Sequence, residues 1–292
     1  ASFSSELKKI CYYASIDCFK SQDIYNLLFG RYITTLKTNF NIEEYSTSSN
    51  VLDFREQMYH KYSKLFAETS SCFNSFKLSP TQKMIKDYFT PGINIKGILC
   101  WHPVGSGKTC LGLGVASNFV TKGYQVIWVS KNSLLKDIEK NKAMCYGLKN
   151  SNLLLPVSYK TFTNLLQNKN KYARKNLDKT LIIIDEAHKL FDNSLSTLEK
   201  PDIDILRKSI QSKTCKVLLM TATPFMSDPM QLIKILNLIV DNPMPEDFQQ
   251  FKSKYLEDDV IFSYRGGMDF IENIYKHISV SSDNYKYAIQ VK

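Results

Sequence analysis

A glycine-rich segment in the middle of the chain has residue types that could bind phosphate. Residues 102–109 read His-Pro-Val-Gly-Ser-Gly-Lys-Thr and follow an apolar strand candidate, Gly97–Trp101. The phosphate-binding candidates are Gly105, Ser106, Gly107, Lys108 and Thr109. The two glycines let the backbone wrap around a phosphate, with N–H groups at a helix N-terminus pointing inward. The lysine amine would then contact the β- and γ-phosphates of a nucleotide, and the threonine hydroxyl would ligate Mg²⁺.

A second candidate is the acidic group at the end of another apolar strand candidate, Leu181–Asp185. The strand runs into Asp-Glu-Ala-His. Phosphoryl transfer to water needs one carboxylate to hold Mg²⁺ and another to orient the attacking water. Asp185 is suited to the first role and Glu186 to the second, whereas His188 is placed to touch a neighbouring segment.

Two further segments complete the candidate site. A buried strand candidate, Lys216–Met220, is followed by Thr-Ala-Thr-Pro, in which Thr221 and Thr223 could bond to the acidic group and sense the γ-phosphate. Upstream of the glycine-rich segment lies Gln82, whose side-chain amide can both donate to and accept from adenine. A surface glutamine on a helix is an equal alternative for that residue.

The elements that must position these residues alternate between strands and helices. The other strand candidates are Gln125–Val129 and Leu153–Val157. Helix candidates are Thr81–Phe89, Lys108–Phe119, Ser133–Asn141, Tyr159–Leu166, Ile203–Gln211 and Pro229–Val240. This alternation predicts an α/β fold with a mostly parallel sheet covered by helices on both faces. Ligands of such sheets bind at the carboxyl ends of the strands.

Taken together, the segments resemble those of superfamily 2 helicases and translocases. Residues 105–109 resemble motif I, a P-loop, residues 185–188 motif II, and residues 221–223 motif III. Residues 126–131 (VIWVSK) look like motif Ia, and residues 158–162 (SYKTF) look like the S/T-Y-x-x-[FL] segment of Swi2/Snf2-type enzymes. The resemblance implies a RecA-like lobe that uses ATP and Mg²⁺. It also implies that the last two segments face nucleic-acid phosphates, through Lys131, Lys136, Lys160 and Thr161.

Within the superfamily, the chain is most similar to the Snf2-like NTPases of large nucleocytoplasmic DNA viruses, which include poxvirus nucleoside triphosphatase I and the ATPase subunit of the poxvirus early transcription factor. Residues 181–190, 218–239 and 275–280 carry this likeness. It implies a DNA translocase or helicase in viral transcription. An RNA-directed helicase stays open as an alternative, as does a nucleotide-bound docking module that contacts RNA polymerase or transcription factors through the N-terminal segment.

Charge is concentrated in the same part of the chain. The 292 residues carry a net charge of +10. Residues 78–240 hold 23 basic and 11 acidic groups, and the stretch 131–179 alone holds 11 basic and 3 acidic groups. This clustering favours a surface that binds a polyanion. A solvated lysine-rich face is the plainer interpretation, but the motifs favour binding.

The organisation predicted along the chain is a helical N-terminal extension (1–75), a RecA-like lobe (76–240) and an irregular acidic tail or linker (241–292). Superfamily 2 enzymes use a second lobe with catalytic arginines, whereas Arg265 is the one arginine after residue 240. We therefore expect a piece of a longer protein, with weak turnover by itself. The sequence shows no secretion signal and no apolar run near the ~20 residues of a membrane span. A cytoplasmic protein with reduced cysteines is expected.

Overall fold

The computed structural model describes most of the chain after residue 77. The described residues are 3–4, 7, 78, 80–144, 148, 151–167, 177–191, 195–196, 199–210, 214–225, 228–257 and 261–280. The helices predicted for the N-terminal extension lie outside these residues, as does the end of the predicted tail. The extension, lobe and tail therefore stay a prediction.

The described elements alternate as the sequence predicts. The strands are β1 (Gly97–Trp101), β2 (Gln125–Ser130), β3 (Leu154–Ser158), β4 (Thr180–Asp185), β5 (Lys216–Thr221), β6 (Leu256–Glu257), β7 (Ile261–Phe262) and β8 (Ile278–Val280). The α-helices are α1 (Pro80–Tyr88), α2 (Lys108–Val120), α3 (Leu135–Met144), α4 (Tyr159–Leu166), α5 (Ile203–Ile210), α6 (Met230–Leu236), α7 (Phe248–Tyr255) and α8 (Tyr264–Ile274). Short 3₁₀ turns cover Asn132–Leu134, Ala187–Leu190 and Tyr275–His277. None of the helices in this part of the chain is long and apolar enough to span a bilayer.

Six strands form one parallel sheet in the order β3-β2-β4-β5-β1-β8, and β6 and β7 form a separate antiparallel pair. In β4, the five residues before Asp185 are buried, which is typical of a parallel strand covered on both faces. Because all six strands run the same way, their carboxyl ends meet at one edge of the sheet. The predicted α/β fold class is confirmed.

Side chains alternate between the two faces of the sheet and build a separate core on each. On one face, Trp128 and Ile183 belong to a cluster that includes residues of α1, α2 and α3. On the other, Ile182 and Ile184 belong to a cluster that includes residues of α4 to α8. The apolar residues of β1, β2, β4 and β5 are thereby sealed between helices, which fixes the register of the strand ends.

The segment after Asp241 differs from the sequence expectation. Predicted as irregular, its described residues form α7, α8 and β8, and β8 pairs in parallel with β1. The side chains of Asp247 and Ser263 cap α7 and α8 by accepting hydrogen bonds from Gln250 N and Gly266 N at 3.1 and 3.0 Å. Phe3, from the N-terminal segment, packs against aromatic rings of α7 and β7.

Candidate active site

The glycine-rich segment forms a loop between the end of β1 and the start of α2. Gly105 and Gly107 have φ angles of 81° and 77°, in the left-handed region that glycine adopts without steric penalty. The Lys108 amine folds over the loop and donates to the carbonyl oxygens of His102 and Pro103, at 3.2 and 3.1 Å. Thr109 is the second residue of α2 and is half-buried. The loop therefore places a cation and a helix N-terminus around one point, a typical anion site.

A buried hydroxyl lies within the same loop. The Oγ atom of Ser106 is buried and has no hydrogen-bond partner among the described residues. Buried polar atoms are almost always paired in folded proteins. An unpaired hydroxyl between two glycines with positive φ fits a loop that binds a polar ligand.

Gln82 packs directly against this loop. It is 8% exposed, and its Nε2 donates to the carbonyl oxygens of Ser106 and Gly107, at 3.0 and 3.1 Å. The structure thus places Gln82 in contact with the phosphate-loop candidate. The interpretation as an ordinary surface glutamine is wrong, whereas the adenine contact stays a prediction.

The acidic group lies at the carboxyl end of β4, two strands from the end of β1. The Asp185 carboxylate accepts hydrogen bonds from the Ser130 hydroxyl, at 3.3 Å, and from the backbone N–H of Glu186, at 3.1 Å. Burial raises the pKa of Asp185, and the charge of Glu186 raises it further. The charge of Lys108 opposes this shift, so Lys108 and Asp185 interact across the loop.

Glu186 has an unusual backbone. Its φ of 51° and ψ of 53° lie in the left-handed helical region, which costs about 1–2 kcal/mol for a residue with a Cβ atom. One carboxylate oxygen, Oε2, lies 3.3 Å from Nδ1 of His188. With a proton on Nδ1 this contact is attractive, because an ionised carboxylate only accepts. His188 therefore lies beside the Glu186 carboxylate.

The third segment joins this pair. The Oγ1 atom of Thr221, at the end of β5, lies 2.9 Å from His188 Nδ1 and accepts from the backbone N–H of Thr223 at 3.1 Å. Thr221 is fully buried, whereas Thr223 is exposed. The structure thus places Thr221 in contact with His188. The role of Thr221 and Thr223 at the γ-phosphate stays a prediction.

Four side chains in the site had no role in the sequence prediction, namely Ser130, Tyr159, His102 and Ser279. Ser130 ends β2 and bonds Asp185, as described. The Tyr159 hydroxyl donates to the carbonyl oxygens of Asp185 and Glu186. His102 is buried; its backbone N–H donates to Thr221 O at 3.1 Å, and its Nε2 lies 3.3 Å from Oγ of Ser279 in β8. Burial, followed by the charge of Lys108, lowers the pKa of His102 to about 4, so the ring is neutral.

The nucleic-acid candidates lie at the same edge of the sheet but on its other half. Lys131 follows β2, Lys136 lies in α3, and Lys160 and Thr161 lie in the first turn of α4, directly after β3. The three lysines are exposed and Thr161 is half-buried. The nucleotide candidates instead follow β1, β4 and β5, so the structure separates the two sets along the sheet.

Comparison with known proteins identifies the family of this chain. Residues 73–226, more than half of the chain, match the family described as Type III restriction enzyme, res subunit. The chain belongs to this family. The residues that match this res subunit family include all three motif segments and Gln82. With its motifs, its parallel sheet and its viral relatives, the chain is an ATP-binding lobe of the superfamily 2 helicase type.

The relatives include proteins of large DNA viruses. A protein of Acanthamoeba polyphaga mimivirus, provisionally named the ATP-dependent RNA helicase R563, is 26% identical over 259 residues, covering 77% of this chain and 44% of that protein. A termination factor NPH-I homolog of African swine fever virus is 26% identical over 184 residues, covering 56% of this chain and 25% of that protein. The chain thus spans less than half the length of these curated relatives. A solved Sulfolobus solfataricus SWI2/SNF2 ATPase core in complex with dsDNA aligns at 15% identity with a TM-score of 0.48, over 76% of this chain and 48% of that one.

Proposed function

We propose that this chain is the first ATP-binding lobe of a nucleic-acid-dependent ATPase that translocates on or unwinds DNA during viral transcription. One observation carries the proposal: Lys108, Glu186 and Thr221 come from three separate segments and meet at the ends of β1, β4 and β5. Hydrogen bonds or charge interactions connect each of these segments to another. This arrangement supports ATP hydrolysis, because it gathers groups suited to the phosphates, the metal ion and the attacking water.

The residues of the loop fit a nucleotide with Mg²⁺. The unpaired Ser106 hydroxyl, the left-handed glycines and the Lys108 amine suit the phosphates. Thr109 and Asp185 would hold the metal ion, because Mg²⁺ prefers hydroxyl and carboxylate oxygens and usually takes only one or two carboxylates. Mg²⁺, when bound, would neutralise charge developing on the phosphates. Gln82 would contact the adenine or hold the phosphate-binding loop in place.

Glu186 is the proposed general base. Its carboxylate would accept a proton from the attacking water, and the His188 Nδ1–H would keep it aimed. Because His188 also contacts Thr221, a change at the γ-phosphate would reach the end of β5. The Thr221 hydroxyl in turn holds the backbone of Thr223, which is exposed and available to a second lobe.

Nucleic acid would bind through phosphate contacts at Lys131, Lys136, Lys160 and Thr161, without reading sequence. DNA is the favoured substrate, and the name of the African swine fever virus relative supports a place in transcription. The proposed location is the cytoplasm or the virion. The name of the mimivirus relative favours the second candidate, an RNA-directed helicase.

The test is the ATPase rate of the full-length protein without nucleic acid and with saturating single-stranded DNA, duplex DNA or RNA. We expect stimulation by DNA that exceeds stimulation by RNA, and loss of turnover in a Lys108→Ala variant. Stronger stimulation by RNA would establish the second candidate instead. A rate unaffected by any of the three would overturn both and leave a nucleotide-bound docking module. A strand-displacement assay would then separate unwinding from translocation.

A further inference from the structure

The Tyr159 side chain connects the two halves of the sheet edge. Its ring is buried in the core, with 3% of the residue exposed, and its hydroxyl lies under the acidic group. The hydroxyl donates to the carbonyl oxygen of Asp185 and lies 3.2 Å from the carbonyl oxygen of Glu186. Tyr159 itself is the first residue of α4, which carries Lys160 and Thr161.

We propose that Tyr159 is the positioning residue that makes the orientation of Glu186 depend on nucleic acid bound at the start of α4. The proposal rests on the function proposed above. It deepens that function by naming the side chain through which nucleic-acid binding would accelerate ATP hydrolysis.

The Tyr159 hydroxyl acts on the backbone of Glu186. Its φ and ψ angles set the rotation of the two peptide planes on either side of its Cα atom. One plane carries the carbonyl of Asp185 and the other carries the carbonyl of Glu186. A hydroxyl that shares its proton between both oxygens therefore holds the two planes in a fixed relation. The left-handed conformation of Glu186 is unfavourable in itself, so it must be stabilised by contacts with other residues.

The first turn of α4 sets the position of Tyr159. The Ser158 hydroxyl caps the helix, accepting from Thr161 N at 3.2 Å and lying 3.1 Å from Thr161 Oγ1. Tyr159 lies between this cap and the exposed Lys160. A phosphate drawn to Lys160 and Thr161 would therefore act on the turn of backbone that sets the position of the Tyr159 ring. A shift of that ring changes the hydrogen bonds that fix the backbone of Glu186.

Side chains from other elements contact the acidic group as well. His188 contacts the Glu186 carboxylate and Thr221 contacts His188, whereas the Ser130 hydroxyl bonds the carboxylate of Asp185. The Tyr159 hydroxyl is thus a direct hydrogen-bonded connection between the helix that carries Lys160 and Thr161 and the backbone of the proposed base.

The experiment compares Tyr159→Phe with Tyr88→Phe in the full-length protein. Tyr88 is the matched control: it is also 3% exposed, and its hydroxyl donates to a backbone carbonyl, that of Lys276, at 2.9 Å, away from the acidic group. Both changes keep the buried ring and remove one hydroxyl. The measurements are kcat and KM for ATP with and without saturating DNA, the Kd for DNA, and the midpoint of thermal unfolding.

We expect Tyr159→Phe to lower the DNA-stimulated kcat about tenfold, the upper range of measured coupling effects, while KM for ATP and Kd for DNA change less than about twofold. Tyr88→Phe should keep full stimulation at a similar loss of thermal stability. Stimulation of Tyr159→Phe equal to the wild type would overturn the role of Tyr159 alone, as would an equal loss in both variants. A wild-type protein that DNA and RNA both fail to stimulate would overturn the proposed function and this inference with it.

Discussion

The fit of Gln82 against the loop predicts an unequal response of the left-handed glycines to alanine. A Cβ atom at Gly107 would lie 2.6 Å from Nε2 of Gln82, closer than packed atoms approach. Gly123, in the turn after α2, has nearly the same φ, 76°, but nothing lies within 4 Å of its added Cβ. Gly105, with φ 81°, is equally open and belongs to the loop. Alanine variants at the three positions therefore distinguish the effects of backbone strain, of collision with Gln82 and of lost nucleotide contact.

The magnitudes follow from these contacts. Alanine at any of the three positions costs about 1–2 kcal/mol for the left-handed backbone. At Gly107 the methyl group also displaces the Gln82 amide from the carbonyls of Ser106 and Gly107, and each of these two hydrogen bonds contributes about 0.5–1.5 kcal/mol. The free energy of unfolding should thus fall by about 2–5 kcal/mol for Gly107→Ala. Gly123→Ala should show only the backbone part.

Equilibrium urea unfolding measures the stability difference, and calorimetric titration with ATP and Mg²⁺ measures affinity. Both loop variants should bind ATP more weakly, whereas Gly123→Ala should bind it normally. In a Gln82→Ala background, Gly107→Ala should cost no more than Gly123→Ala, because the collision partner is gone. Equal losses for Gly107→Ala and Gly123→Ala with Gln82 present would refute the proposed contact.

Three other predictions test the base, the buried histidine and the basic residues. Glu186→Gln should bind ATP normally while its single-turnover hydrolysis rate falls by about 10² or more, and hydrolysis at the normal rate would show that the base is another group. The pKa of His102 is about 4 in the folded protein, so the unfolded chain binds the proton first as the pH falls. His102 therefore lowers the free energy of unfolding between about pH 6.5 and pH 4, by at most about 3 kcal/mol. Urea unfolding of His102→Asn should show a flatter profile over that range, and an unchanged slope would contradict the assignment. Lys136→Ala and Lys160→Ala should each reduce the salt dependence of DNA binding by about one phosphate contact. The control is Lys122→Ala, since Lys122 is exposed at the opposite edge of the sheet and should leave the salt dependence unchanged. Identical salt slopes in all three variants would show that Lys136 and Lys160 do not contact DNA.

Much of the fold was predictable because the strands are short apolar runs between helical patterns. The ranges predicted for β1 and α4 coincide with those observed, and β2 to β5 are each displaced or extended by one residue. The same reasoning placed the motifs at strand ends, since Lys108, Asp185 and Thr221 follow or complete such runs. Their meeting at one edge then follows from parallel pairing alone.

The missed parts depend on contacts between residues far apart in sequence. β8 has only three residues, one of them polar, and it becomes a strand by pairing with β1. The contact between His102 and Ser279 spans 177 residues, so no local pattern announces it. Asp247 and Ser263 did offer a local signal, because aspartate and serine are favoured caps at the start of helices. That signal was present for α7 and α8 in the segment predicted to be irregular.

The order of the strands explains how one edge of the sheet can serve two ligands. The nucleotide candidates follow β4, β5 and β1, whereas the nucleic-acid candidates follow β2 and β3. β2 and β4 are neighbours, so the boundary between the two sets runs between them. At that boundary Ser130 bonds the Asp185 carboxylate, and Tyr159 bonds the backbone on either side of Glu186. These contacts end on Asp185, the proposed metal ligand, and on Glu186, the proposed base. A movement of β2 and β3 would therefore change the positions of these two residues directly. Lys108 would be less affected, because it is held by the loop after β1.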